Sequence, residues 1–118
     1  MTDLATIIKY LDLKVLTNPK DFSSIQITSG YTSDLLSCVM AGAQNHGVWV
    51  TLQAHNNIIA VAALLELNAI IITEDAKPDL ATINKANQEE ITLLSTPQNS
   101  FWVVGKLWDT GIRSDDQL

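Results

Sequence analysis

Apolar and polar positions follow one period near the start of this chain and another after Gly30, and that change organises the reading. Leu4, Ile7, Ile8 and Leu11 recur at helical spacing behind Thr2, a residue type that caps helix starts, which predicts a short opening amphipathic helix. Leu13-Lys14-Val15 and Ile25-Gln26-Ile27-Thr28 alternate as half-buried strands do, with Asn18-Pro19-Lys20-Asp21 as turn chemistry between them, and predict peripheral strands. From Gly30 onward, strands and helices are expected in regular succession. The pattern gives a helix from Ser33 to Gln44, a strand from Val48 to Leu52, a helix from Asn57 to Leu67 and a strand from Ala69 to Thr73. A helix from Asp79 to Glu89, a strand from Ile91 to Leu94 and a helix from Gln98 to Trp108 complete it. Short apolar strands joined by helices imply crossover connections, so the expected fold is a single-domain, three-layer α/β/α sandwich with a mainly parallel sheet.

The length of 118 residues fits one domain, read as 1–112 with residues 113–118 as a flexible tail. With 47% hydrophobic and 17% charged residues the chain has the composition of a packed globule. Seven bases against 13 acids, net −6, are scattered singly, whereas phosphate-backbone binding needs clustered cations, so no nucleic-acid partner is expected. The apolar run Ile58 to Leu65 is far shorter than a membrane span of roughly 20 residues, and the start at Met1 has no secretory pattern; no membrane association and a cytoplasmic location follow as expectations. The one cysteine, Cys38, cannot supply the thiolates of an iron–sulfur cluster or a cysteine-rich zinc site. It sits on an apolar stretch and reads as a small core residue, and no cofactor is expected.

Ligands of open parallel sheets bind beyond the carboxyl ends of the strands, which directs attention to four loops expected on one edge. They are Gly30-Tyr31-Thr32-Ser33-Asp34, Gln53-Ala54-His55-Asn56-Asn57, Thr73-Glu74-Asp75 and Ser95-Thr96-Pro97. Each leads towards a helix N-terminus, where unpaired N–H groups attract an anion. Ser33, Asp34 and Thr96 also serve as plain helix caps in an alternative reading. The run Gln53 to Asn57 exceeds what one cap requires, and His55 is the leading candidate for a binding role. No nucleophile stands at a motif spacing from His55, and the chain has no nucleophile elbow, Walker loop or dinucleotide fingerprint, so an enzyme is not expected. His46 reads as an exposed residue closing a helix, and Glu74-Asp75 as a solvated acidic pair rather than a metal site. The helix Ile58 to Leu65 is apolar nearly all round, which calls for a second copy of the chain to cover its outer face. The aromatic helix with Phe101, Trp102 and Trp108 is a further candidate for that contact, although Phe101 and Trp108, at helical spacing, are more often core residues.

The segment Thr28 to Ser37 (Thr-Ser-Gly-Tyr-Thr-Ser-Asp-Leu-Leu-Ser), with Trp49-Val50-Thr51-Leu52-Gln53, His55-Asn56-Asn57 and Leu94-Ser95-Thr96-Pro97, resembles the stand-alone DRTGG domain proteins over Leu4 to Gly111. The resemblance implies a small α/β domain similar in fold to the N-terminal domain of HPr kinase/phosphorylase. Such domains occur alone, or beside paired CBS domains or phosphotransacetylase, in a regulatory or dimer-forming role. Some relatives carry an iron–sulfur hydrogenase label, against which the single Cys38 stands. Ser24-Ile25 replace the Asp-Arg pair of the naming motif and Ser29 its first glycine, which removes whatever that arginine does in the family. Two functions follow as expectations. One is a dimeric regulatory module binding a small anionic ligand, such as a nucleotide, through Gly30, Tyr31, Ser33, Asp34, Gln53, His55, Asn56, Asn57, Ser95 and Thr96. The other is an interaction module that docks a partner enzyme without any small ligand.

Overall fold

A computed structural model describes residues 2–114 of the chain. Strand β1 (Thr2–Asp3) leads directly into α1 (Leu4–Leu11), followed by β2 (Lys14–Val15), a 3-10 turn (Phe22–Ser24), β3 (Gln26–Ile27) and β4 (Gly30–Thr32). Then come α2 (Leu36–Gly42), β5 (Val48–Thr51), α3 (Asn57–Leu64), β6 (Ala69–Ile72), α4 (Leu80–Gln88), β7 (Thr92–Ser95) and α5 (Ser100–Asp109). The cap of α1 is Asp3, whose carboxylate accepts from Thr6 N at 2.8 Å. Thr2, the expected cap, sits in β1 and donates its hydroxyl to Thr110 O instead.

The main sheet runs β2-β7-β6-β5-β4, with β4 to β7 parallel and β2 antiparallel on its edge. Strands β1 and β3 form a separate antiparallel pair. Side chains alternate across the central strands. Val48, Val50, Ala69, Ile71 and Leu94 pack beneath α1 and α5, and Trp49, Ile70, Ile72 and Leu93 beneath α2, α3 and α4, as the period of two requires. The result is the expected α/β/α sandwich.

Because the parallel strands follow each other in chain order, the three crossovers step in one direction and place α2, α3 and α4 on the same face. The middle helix, α3, is flanked by α2 and α4. This corrects the expectation that a second copy must cover α3. Its own neighbours and the sheet bury Ile58, Ile59, Val61 and Ala62, leaving Ala60 and Leu64 in solvent. Cys38 is also corrected: it lies on the solvent side of α2, whose only buried residue is Val39. Phe101 and Trp108 are exposed rather than core, because α5 turns Val103 and Leu107 towards the sheet.

Arg113 belongs to the folded body rather than to a tail. Its carbonyl accepts from Gly30 N at 2.8 Å, and its guanidinium lies 3.9 Å from the centroid of the Trp108 ring. The remainder of the expected tail beyond Ser114 lies outside the described residues. Thr92 Oγ1 is fully buried without a hydrogen-bond partner among the described residues. Thr92→Val, which keeps the shape and removes that orphan oxygen, is expected to raise the unfolding free energy by about 1 kcal/mol, measurable by urea denaturation.

Candidate functional site

The candidate residues divide into three groups. Gly30 and Tyr31 belong to β4 itself, not to a loop. The Tyr31 ring packs against α2, where a Cβ at Gly42 would approach its Cε1 to 2.5 Å. A Cβ at Gly30 would instead meet Ile112, on the α5 side. Neither residue faces the strand ends. Ser95 and Thr96, at the end of β7, are buried, and the Thr96 hydroxyl accepts from Gln98 N at 3.2 Å.

The topology explains why Ser95 and Thr96 are closed off. A ligand crevice in an open sheet forms where strand order reverses and adjacent helices depart to opposite faces. Among β4 to β7 there is no reversal; the chain changes face only after β7, on its way to α5. That junction is filled by the loop following β6. Glu74 N donates to Gln98 O at 2.8 Å, Asp75 N donates to Thr96 O at 3.0 Å, and the Thr73 and Ser100 hydroxyls bond at 2.8 Å. Glu74 and Asp75 both hold positive φ, 59° and 56°, to make these contacts. The Asp75 carboxylate pairs with Lys77 at 2.8 Å.

The third group is brought together. Ser33 and Asp34 follow β4, and Gln53, His55, Asn56 and Asn57 follow β5, its hydrogen-bonded neighbour. Asp34 does not cap α2, contrary to the capping alternative: the residue at that position, Leu35, has no side-chain cap. Asp34 Oδ1 instead accepts from Thr51 Oγ1 at 2.8 Å and from Leu52 N at 2.9 Å, across to the next loop. Gln53 returns the link, its Nε2 donating to Asp34 O at 3.1 Å, and its own N–H donates to Thr51 Oγ1 at 3.1 Å. Beneath them the fully buried Trp49 donates its indole N–H to Ser33 O at 2.9 Å, and Ser33 Oγ accepts from Leu35 N. Two short loops are thus stapled to each other and to the core, which fixes their shape before any ligand arrives.

His55 stands exposed beyond this staple, its Nδ1 accepting from Asn57 N at 3.3 Å. With Nδ1 occupied as an acceptor, the neutral ring carries its proton on Nε2, leaving a donor free. Asn56 makes no side-chain cap on α3 and, like Asn57, is exposed. The next helix starts at Asp79, which caps α4 by accepting from Thr82 N at 2.8 Å. The Thr82 hydroxyl and N–H hold the Asp79 carboxyl below the usual aspartate range, and the nearby His55 ring, in its protonated form, lowers it further. Sequence reasoning passed over Asp79 as a neighbour of His55, since 24 positions separate them and only the adjacency of the helix layer joins them.

The electrostatics of the cluster differ from the anion cradle expected of helix N-termini. Asp79 and Asn99 each already occupy one N–H of the first turn, of α4 and α5 respectively, and His55 takes one from α3. Asp34 and Asp79 supply carboxylates, and Lys77 is engaged by Asp75. The groups offered here suit neutral hydrogen-bond donors and acceptors, such as a heterocyclic base edge or sugar hydroxyls, better than a bare phosphate. Among the described residues no helix is long and apolar enough to cross a membrane, and no group of three or more acidic, histidine or cysteine residues is placed to hold a metal ion.

No protein-family model matches the chain, and no curated protein matches it. Among solved structures it is similar to the CBS and DRTGG domains of the regulatory region of Clostridium perfringens pyrophosphatase, solved with the activator diadenosine tetraphosphate. The TM-score is 0.71 at 16% sequence identity, covering 98% of this chain and 49% of that one, so the chain spans about half the length of its structural relative. The two proteins share an α/β fold.

Proposed function

We propose that this chain is a non-catalytic regulatory module of the DRTGG type, working as a dimer and binding a nucleotide at the loops after β4 and β5. The observation that carries the reading is the Asp34–Thr51–Gln53 staple, which spends a buried hydroxyl and a carboxylate on holding two loops in place and presents His55, Asn56 and Asn57 beyond them. Such pre-organisation lowers the ordering cost of binding. The base or ribose of the nucleotide meets His55 Nε2 and the Asn amides, while its phosphates extend away from Asp34 and Asp79. The structural relative's activator is a dinucleotide, which supports this choice of ligand class. A non-catalytic role is supported by the two hydroxyls bonded to carboxylates in this cluster, Thr51 to Asp34 and Thr82 to Asp79, which are both buried and out of a substrate's reach.

Isothermal titration with mononucleotides and diadenosine tetraphosphate tests the reading. Saturable binding is expected for the wild type, and a ligand at 100 times its dissociation constant is expected to stabilise the fold by roughly 2.7 kcal/mol. His55→Ala is expected to abolish that binding while the unfolding transition without ligand stays cooperative, since His55 is exposed. Equal binding by wild type and His55→Ala would remove His55 from the site.

A further inference from the structure

The outer surface of α5 carries a pattern that no packing among the described residues uses. Phe101, Gly105 and Trp108 recur at i, i+4 and i+7 and so lie on one stripe of the helix. Phe101 is 91% exposed and Trp108 51%. Glycine in a helix interior is destabilising relative to alanine, yet a Cβ added at Gly105 would meet nothing within 4 Å among the described residues, so no packing among them calls for it. Beside Trp108 a cavity of about 310 Å³ opens between α5 and the edge strand β4, lined by Val50, Val104, Leu107 and Ile112 among others.

We infer that two copies of this chain pair through α5, antiparallel about a two-fold axis at Gly105, each copy's Phe101 filling the partner's cavity beside Trp108. The inference rests on the dimeric part of the function proposed above and names its surface. In an antiparallel pair, a residue four positions before the axis in one copy faces residues about four positions after it in the other. Phe101 therefore meets the turn holding Trp108 and the segment reaching Ile112, where the cavity lies. Knob and hole sit on one patch, which is the self-complementarity an isologous interface requires. The bare Cα of Gly105 lets the two axes approach to the short end of the usual 8–10 Å range.

Area and charge agree with this occupant. A standard interface takes about 800 Å² from each partner, roughly an eighth of the 6224 Å² surface of this chain, and the molecule's broad side of 36 × 29 Å accommodates it. The chain as a whole has a net charge of −6, but α5 and the residues after it up to Arg113 carry two bases, Lys106 and Arg113, and one acid, Asp109. Two copies meet there with both signs available and without the repulsion that acts over the remaining surface.

Sedimentation velocity of wild type, Phe101→Asp and Gly105→Gln over a wide concentration range tests the inference. Neither substituted side chain enters the chain's own core, and an acid at position 101 in the first turn suits the helix dipole, so both variants should keep the wild-type circular dichroism spectrum. The wild type is expected to sediment as a dimer, and each variant to associate at least about tenfold more weakly. A monomeric wild type would overturn both this surface and the dimeric reading, leaving the stripe to a different protein. A dimeric wild type with equally dimeric variants would overturn the α5 surface alone. Nucleotide binding at His55 is measured separately and stands or falls on its own titration.

Discussion

Trp49→Ala is expected to lower the unfolding free energy by about 3–5 kcal/mol and, among single changes, to disturb the candidate site most from beneath. Trp49 is the largest fully buried side chain and packs in the cluster that includes Val39, Ile58 and Ile70, so truncation opens a cavity in the centre of one layer. The same residue carries the loop after β4, because its indole N–H is bonded to Ser33 O. Trp49→Phe separates the two roles: it retains most of the apolar contact but removes the indole donor, leaving Ser33 O to find another partner, at a cost of about 1–2 kcal/mol. Urea denaturation gives the stability difference, and titration of the folded Phe variant gives the effect on binding. Weaker nucleotide binding with a modest stability loss is expected for Trp49→Phe. Unchanged binding would show that the loop holds its shape without the core beneath it.

Ala62→Glu is expected to prevent folding rather than to divide a dimer. Ala62 is fully buried in the apolar cluster between α3 and the sheet. Overpacking and burial of an unpaired charge each cost several kcal/mol, of the order of the whole stability of a small domain. The predicted outcome is an insoluble or unfolded chain at every concentration, read by circular dichroism and proteolysis. A folded, monomeric Ala62→Glu protein would place position 62 on a surface and contradict the described packing. Leu64→Glu, on the strip of α3 that is in solvent, is the matched control and is expected to fold normally.

These two substitutions mark where the sequence was legible. The strands Val48–Thr51, Ala69–Ile72 and Thr92–Ser95 are apolar runs of strand length between helical patterns, and such runs announce a covered parallel sheet wherever they occur. β4 was missed because Gly30–Thr32 is three residues long and opens with glycine, too short for a period to register. The covering of α3 was misjudged for a reason of position. An all-round apolar helix fits a dimer surface or the middle of a helix layer equally well, and only strand order decides between them. Phe101 and Trp108 had the spacing of core residues, but Val103 and Leu107 on the same helix compete for the sheet and win it. Within the candidate site, Gln53 to Asn57 stood out from the sequence as excess polarity. The partnership of Asp34 with Thr51 did not, because a carboxylate next to a helix start is indistinguishable from a cap until the neighbouring strand is in place.

The central claim is that a nucleotide binds at the stapled loops after β4 and β5, and backbone amide chemical-shift mapping during titration with diadenosine tetraphosphate tests it most directly. Saturable shifts concentrated at Asp34, Gln53, His55, Asn56 and Asn57 are expected, with α5 unaffected. Shifts confined to α5 and the edge of β4, or none up to millimolar ligand, would contradict it.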